Sequence, residues 1–185
     1  MRLPMIAALS LLATPALAHT GTGFHLHGWD DGMMHPLTGA DHIAAMITVG
    51  LWAAFLGGRA LWALPLAFIA AMACGAALGS AGVVFPALEV LIAASVIALG
   101  AVLAFGLSVP VTLGAALCGA FALAHGMAHG AEMPANAAGL AYGLGFVIAT
   151  AALHATGLMV GRFGATVLRV AGAGVALAGL VFLAA

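Results

Sequence analysis

Two short stretches of this 185-residue chain concentrate side chains able to bind a cation. The first is "HPLTGADH", which places His35, Asp41 and His42 just ahead of a long apolar run. The second is "HGMAHGAE", which places His125, His129 and Glu132 at the end of another. If the second stretch is helical through its glycines, its three residues fall at i, i+4 and i+7, on one face. In the first, His35 and His42 are seven apart, Asp41 adjoins His42, and Met46 follows one turn later. Imidazole and carboxylate together suit a borderline divalent metal such as Ni²⁺, Co²⁺ or Zn²⁺. A carboxylate within hydrocarbon costs about 2.5–3.5 kcal/mol on insertion scales, so such groups are rare and functional as a rule.

The elements that must position these groups are membrane helices. The chain is 65% hydrophobic and 5% charged, with 26 glycines. So few polar groups cannot cover a water-soluble domain, and long apolar runs with short Gly/Pro punctuation mark an all-α integral membrane protein. The alternating polarity of a transmembrane β-barrel is missing from the sequence. A net charge of -1 argues against nucleic acid as a partner. The two cysteines, Cys74 and Cys118, stand alone in apolar runs and are expected to be small buried hydrophobes.

Residues 1–18, "MRLPMIAALSLLATPALA", read as a cleaved secretory signal peptide: one arginine, a short apolar core, Pro15, and Ala16-Leu17-Ala18 before the cut. An exposed, His- and Gly-rich periplasmic lead follows over 19–34. The domain over 35–185 is expected to hold a bundle of six transmembrane helices, at 37–57, 61–79, 83–106, 109–129, 135–157 and 165–183, each near the ~20 residues a bilayer requires. Pro36, Pro110 and Pro134 are expected at helix starts, and Pro65 and Pro86 at kinks within spans. The glycine pairs Gly75/Gly79, Gly126/Gly130, Gly139/Gly143 and Gly157/Gly161 favour close helix packing. With the mature N-terminus outside a bacterial cytoplasmic (inner) membrane, Arg59 falls in the first cytoplasmic loop and Arg162 and Arg169 flank the last, as the positive-inside rule expects. Both histidine–carboxylate clusters then lie in the periplasmic half of the lipid bilayer.

The two motifs resemble those of the HupE/UreJ family of hydrogenase- and urease-associated nickel/cobalt permeases. That family is marked by H-x5-D-H at the first helix and H-G-x-A-H-G-x-E at the fourth. Both stand here without a gap, as His35–Asp41–His42 and His125–Gly126–Ala128–His129–Gly130–Glu132. The resemblance spans essentially the whole mature chain. It implies secondary uptake of Ni²⁺ or Co²⁺, indirectly serving hydrogenase or urease maturation, with no prosthetic group and no enzymatic turnover. From the residues themselves, His35, Asp41, His42, His125, His129 and Glu132 are expected to share one ion, drawing spans one and four together. If cleavage follows Ala18, the free amine and imidazole of His19 can chelate a metal. With His25, His27, Asp30 and Asp31 they would form a capture arm, the alternative being a solvated tail.

Other readings of the residues stay open. An intramembrane zinc hydrolase could use the same ligands with Glu132 as general base, although "HGMAH" lacks the glutamate of H-E-x-x-H. A haem-binding subunit needs paired histidines at mid-bilayer, whereas these cluster toward one surface. His154 is expected to hydrogen-bond a carbonyl of a neighbouring helix, and Glu89 either to satisfy a donor freed by Pro86 or to join a pathway. No Walker motif is present, so the chain is a passive or ion-coupled carrier, a homo-oligomer, or part of a larger assembly.

Overall fold

The computed structural model describes residues 28–133 and 137–184, and within them all regular structure is helical. Seven α-helices follow in order: α1 Gly28–Thr38, α2 Ala40–Leu56, α3 Ala60–Ser80, α4 Leu88–Ala104, α5 Val111–Glu132, α6 Ala137–Val160 and α7 Ala165–Ala184, with a 3₁₀ turn Gly161–Phe163 after α6. Four of these units, α3, α5, α7 and α6 with its turn, are long and apolar enough to cross a membrane. Helices α1 and α2 qualify only together, as a path bent by 81°. At 17 residues, α4 is shorter. The six straight spans expected from the sequence thus resolve into four long helices, one bent pair and one short helix.

Two departures have local causes. Pro36 does not start a helix but lies buried near the end of α1, where its ring and missing donor discourage continuation. Thr38 Oγ1 donates to the His35 carbonyl at 2.8 Å, and Gly39 turns extended (φ -89°, ψ 117°) before α2 begins. The stretch 28–34, expected as an exposed lead, is therefore helical, with Asp30 and Asp31 in its first turn, where the helix dipole favours negative charge. Likewise Pro86 kinks nothing: it precedes α4, whose N-cap Ala87 adopts a left-handed backbone (φ 62°). Pro110, as expected, caps α5, and Pro65 lies inside α3. Pro134 and the signal-peptide residues 1–18 lie outside the described residues.

Helix α2 is the centre of the molecule. Its sequence "MITVGLWAA" is small or apolar all round, as befits a helix enclosed by others, and Met46, Val49, Trp52 and Ala53 are fully buried. It packs against α1, α3, α4, α6 and α7. The tightest neighbours are held by glycine. A Cβ on Gly126 or Gly130 of α5 would strike the carbonyl oxygen of Met72 or Ala76 on α3, and one on Gly75 or Gly79 would strike α5 in return. Gly50 of α2 and Gly157 of α6 meet in the same way. These contacts advance together along both chains, so α3 runs parallel to α5 and α2 parallel to α6. Ile97, Gly100 and Ala104 meet Gly179, Ala176 and Gly172 in reverse order, so α4 and α7 are antiparallel. Such senses are what alternate crossings of one chain produce. Gly143, by contrast, has open space beside it and makes no close approach.

The exterior is apolar. Leu66, Leu140, Met159, Val170, Leu177 and Val181 are among the large side chains left exposed on the outward faces of α3, α6 and α7. Cys74 is exposed too, contrary to expectation, while Cys118 is buried. A surface of this kind is at home in hydrocarbon and not in water.

Candidate metal centre

The histidines gather where α1, α2 and α5 meet. Helix α5 carries His125 and His129 to its buried face, and both are nearly solvent-free. The start of α2 presents His42, and the end of α1, turned aside at Gly39, presents His35. The ring centroids of His42 and His129 lie 4.4 Å apart, those of His35 and His129 4.7 Å, and those of His42 and His125 5.4 Å. Glu132 Oε2 stands 3.5 Å from His35 Nε2 and 4.0 Å from His129 Nδ1. The i, i+4, i+7 face expected of α5 is therefore realised.

These groups form two overlapping triads, His42–His125–His129 and His35–His129–Glu132, with the donor atoms of each within 4.8 Å of one another. Metal–nitrogen bonds of about 2.0–2.1 Å place ligand atoms on one ion roughly 3–4 Å apart, so modest side-chain rotation closes either set. The triads differ in exposure. Glu132 and His35 keep 58% and 33% of their side-chain surface open, against 12% for His42 and 6% for His129. His129 is common to both.

Hydrogen bonds set which nitrogen is free. His42 Nδ1–H donates to Asp41 Oδ1 at 2.6 Å, which leaves the Nε2 lone pair available. Ser95 Oγ donates to the Ile92 carbonyl at 2.7 Å, so its oxygen accepts from His125 Nε2–H at 3.0 Å, and His125 Nδ1 holds the other lone pair. His42 Nε2, His125 Nδ1 and both nitrogens of His129 are buried without a partner among the described residues. Buried polar atoms are nearly always paired, so four orphaned nitrogens in one place mark a candidate binding site.

Asp41 falls in neither triad, and its Oδ1 accepts from His42 Nδ1–H. Met46 is fully buried one turn along α2 from His42. Asp30 and Asp31 are exposed at the start of α1, and His19, His25 and His27 lie outside the described residues. Glu89 is exposed in the first turn of α4. His154 departs from expectation, since among the described residues it bonds no carbonyl and neither of its nitrogens has a partner. Sequence reasoning passed over Ser95, Tyr142 and Phe146. Ser95 is the only hydroxyl in "VLIAASVIALG"; Tyr142 is the one tyrosine of the chain, and its ring lies 5.8 Å from that of His35. Phe146 packs 4.6 Å from His129.

An apolar helical exterior enclosing a histidine–carboxylate cluster at one end of the helices defines a membrane protein built around a polar centre. The chain belongs to the HupE/UreJ family. The family model described as HupE / UreJ protein matches residues 7–182. Over 180 residues the chain is 43% identical to Protein HupE of Rhizobium leguminosarum bv. viciae, covering 95% of this chain and 94% of that one. No solved structure matches it.

Proposed function

We propose that this protein is a secondary transporter taking up Ni²⁺, or Co²⁺, across the bacterial cytoplasmic membrane to supply hydrogenase or urease maturation. The observation that carries this reading is the pair of triads sharing His129. The exposed triad, with the anionic Glu132, suits an arriving hydrated cation. The buried triad, all imidazole, suits one that has shed most of its water. Because His129 serves both, the ion passes inward without releasing every protein ligand at once, and no step leaves a bare charge in a dry interior. Imidazole and carboxylate exchange more readily than a closed thiolate cage, as a carrier requires. The mature N-terminus and the cluster face the periplasm, and Arg59, Arg162 and Arg169 face the cytoplasm. Family membership supports this reading.

The test is uptake of radiolabelled Ni²⁺ by cells expressing the chain, with Co²⁺ and Zn²⁺ as competitors. Wild-type cells accumulate Ni²⁺ above the empty-vector level, and Asp41→Ala, which frees the His42 ring, lowers accumulation by about 10–100-fold while the protein still reaches the membrane. Normal uptake by that variant would reject the reading.

A further inference from the structure

Helix α6 carries a single buried stripe. Tyr142, Phe146, Thr150 and His154 recur every four residues and so share one face. All are buried: Thr150 is fully so, and His154 is 2% exposed. At its outer end the stripe lines the metal centre through Tyr142 and Phe146. Further along, its polar atoms have no partner among the described residues. The hydroxyls of Thr48 and Thr156 bond the carbonyl one turn back, as membrane helices allow, but Thr150 Oγ1 does not. Both nitrogens of His154 are equally orphaned. The ring of Phe68 stands beside both sites, its centroid 6.1 Å from that of His125 and 5.1 Å from that of His154.

An imidazole and a hydroxyl, one turn apart on one face and stripped of solvent, carry an energetic penalty unless something pairs with them. Neither packing nor backbone bonding supplies that partner here. We propose that His154 and Thr150 form a second, weaker station for the transported divalent cation, which the ion reaches along the α6 stripe after leaving His125. One imidazole nitrogen and one hydroxyl oxygen bind the ion less firmly than three imidazoles, which suits a point of release. This inference rests on the transport reading above.

The experiment compares His154→Leu, His154→Cys and Thr150→Val. Two measurements are made: radiolabelled Ni²⁺ uptake in cells, and Co²⁺ binding to the purified protein in detergent followed by visible absorption. His154→Leu is expected to lower uptake by about tenfold, the scale of a lost metal-supporting contact, while high-affinity Co²⁺ binding at the outer centre persists. His154→Cys, which restores a metal ligand, is expected to recover most of that loss. Wild-type uptake by His154→Leu overturns the proposal, and so does a cysteine variant as inactive as the leucine one when both bind Co²⁺ normally. Should His154→Leu fail to accumulate in the membrane, the nearly isosteric Thr150→Val decides: reduced uptake with intact Co²⁺ binding supports the station, and unchanged uptake sinks it. His129→Ala separates the two readings. If it abolishes uptake while His154→Leu transports normally, only the second station falls; if His129→Ala transports normally, transport through the outer centre falls and the station with it.

Discussion

His129 is the side chain on which most depends. Its replacement by alanine removes a donor from both triads at once, whereas His35→Ala opens only the exposed set and His125→Ala only the buried one. His129→Ala should therefore lower Ni²⁺ uptake and Co²⁺ affinity more than either, by about 100-fold against about tenfold, the upper and lower range for disrupted metal sites. Ser95 gives a finer test. With Ser95→Ala, His125 Nε2 loses its acceptor, the ring no longer has a fixed tautomer, and Co²⁺ affinity should fall by about tenfold in a protein that still folds. Titration of the purified Ser95→Ala protein with Co²⁺ at neutral pH reads this directly. Metal binding to imidazole displaces protons, so Co²⁺ affinity should fall on acidification and recover on return to neutrality.

At the level of elements, the helices are joined where glycine lets backbones touch. Gly126→Val would drive a side chain into the carbonyl of Met72, and overpacking of this sort costs about 1–3 kcal/mol or more where backbone must shift. The variant should show a lowered thermal midpoint in detergent, read by tryptophan fluorescence. Gly39 is a subtler case. Its backbone is one that any residue adopts, yet a Cβ there would press on the ring of His42 and the carboxylate of Asp41. Gly39→Ala should leave the thermal midpoint unchanged and weaken Co²⁺ binding. This explains what sequence could and could not reveal. Apolar runs gave the helices and their approximate limits, and the i, i+4, i+7 spacing gave the binding face of α5. The break at Gly39 was hidden because Pro36 can as well open a helix as close one. Spacing alone does not reveal that the Asp41 carboxylate meets the imidazole beside it. Ser95 and Phe146 were invisible because their importance comes from contacts over 30 residues away in Ser95 and 17 in Phe146.

Across the whole molecule, the arginines and the histidine–carboxylate cluster occupy opposite ends. Arg59 caps α3, Arg162 lies in the 3₁₀ turn after α6, and the guanidinium of Arg169 rests beside Gly106 at the close of α4. All three are far along the helices from the clustered histidines His35, His42, His125 and His129, at the end where Gly114 of α5 meets Leu56 and Leu64. This polarity predicts orientation. In a background with Cys74 and Cys118 replaced, Val84→Cys should react with a membrane-impermeant maleimide added to intact cells, and Phe163→Cys only after lysis; both residues are well exposed. The opposite pattern would invert the direction of transport proposed above.

The sharp turn between α1 and α2 has a mechanical consequence. Helix α1 is braced across α6, with Gly32 against the carbonyl of Tyr142 and Gly145 against that of Trp29, so the 81° bend holds His35 from a different neighbour than the central post that carries His42. Gly39 is thus a corner tying two separately buttressed walls of the histidine cluster, and not a loose joint.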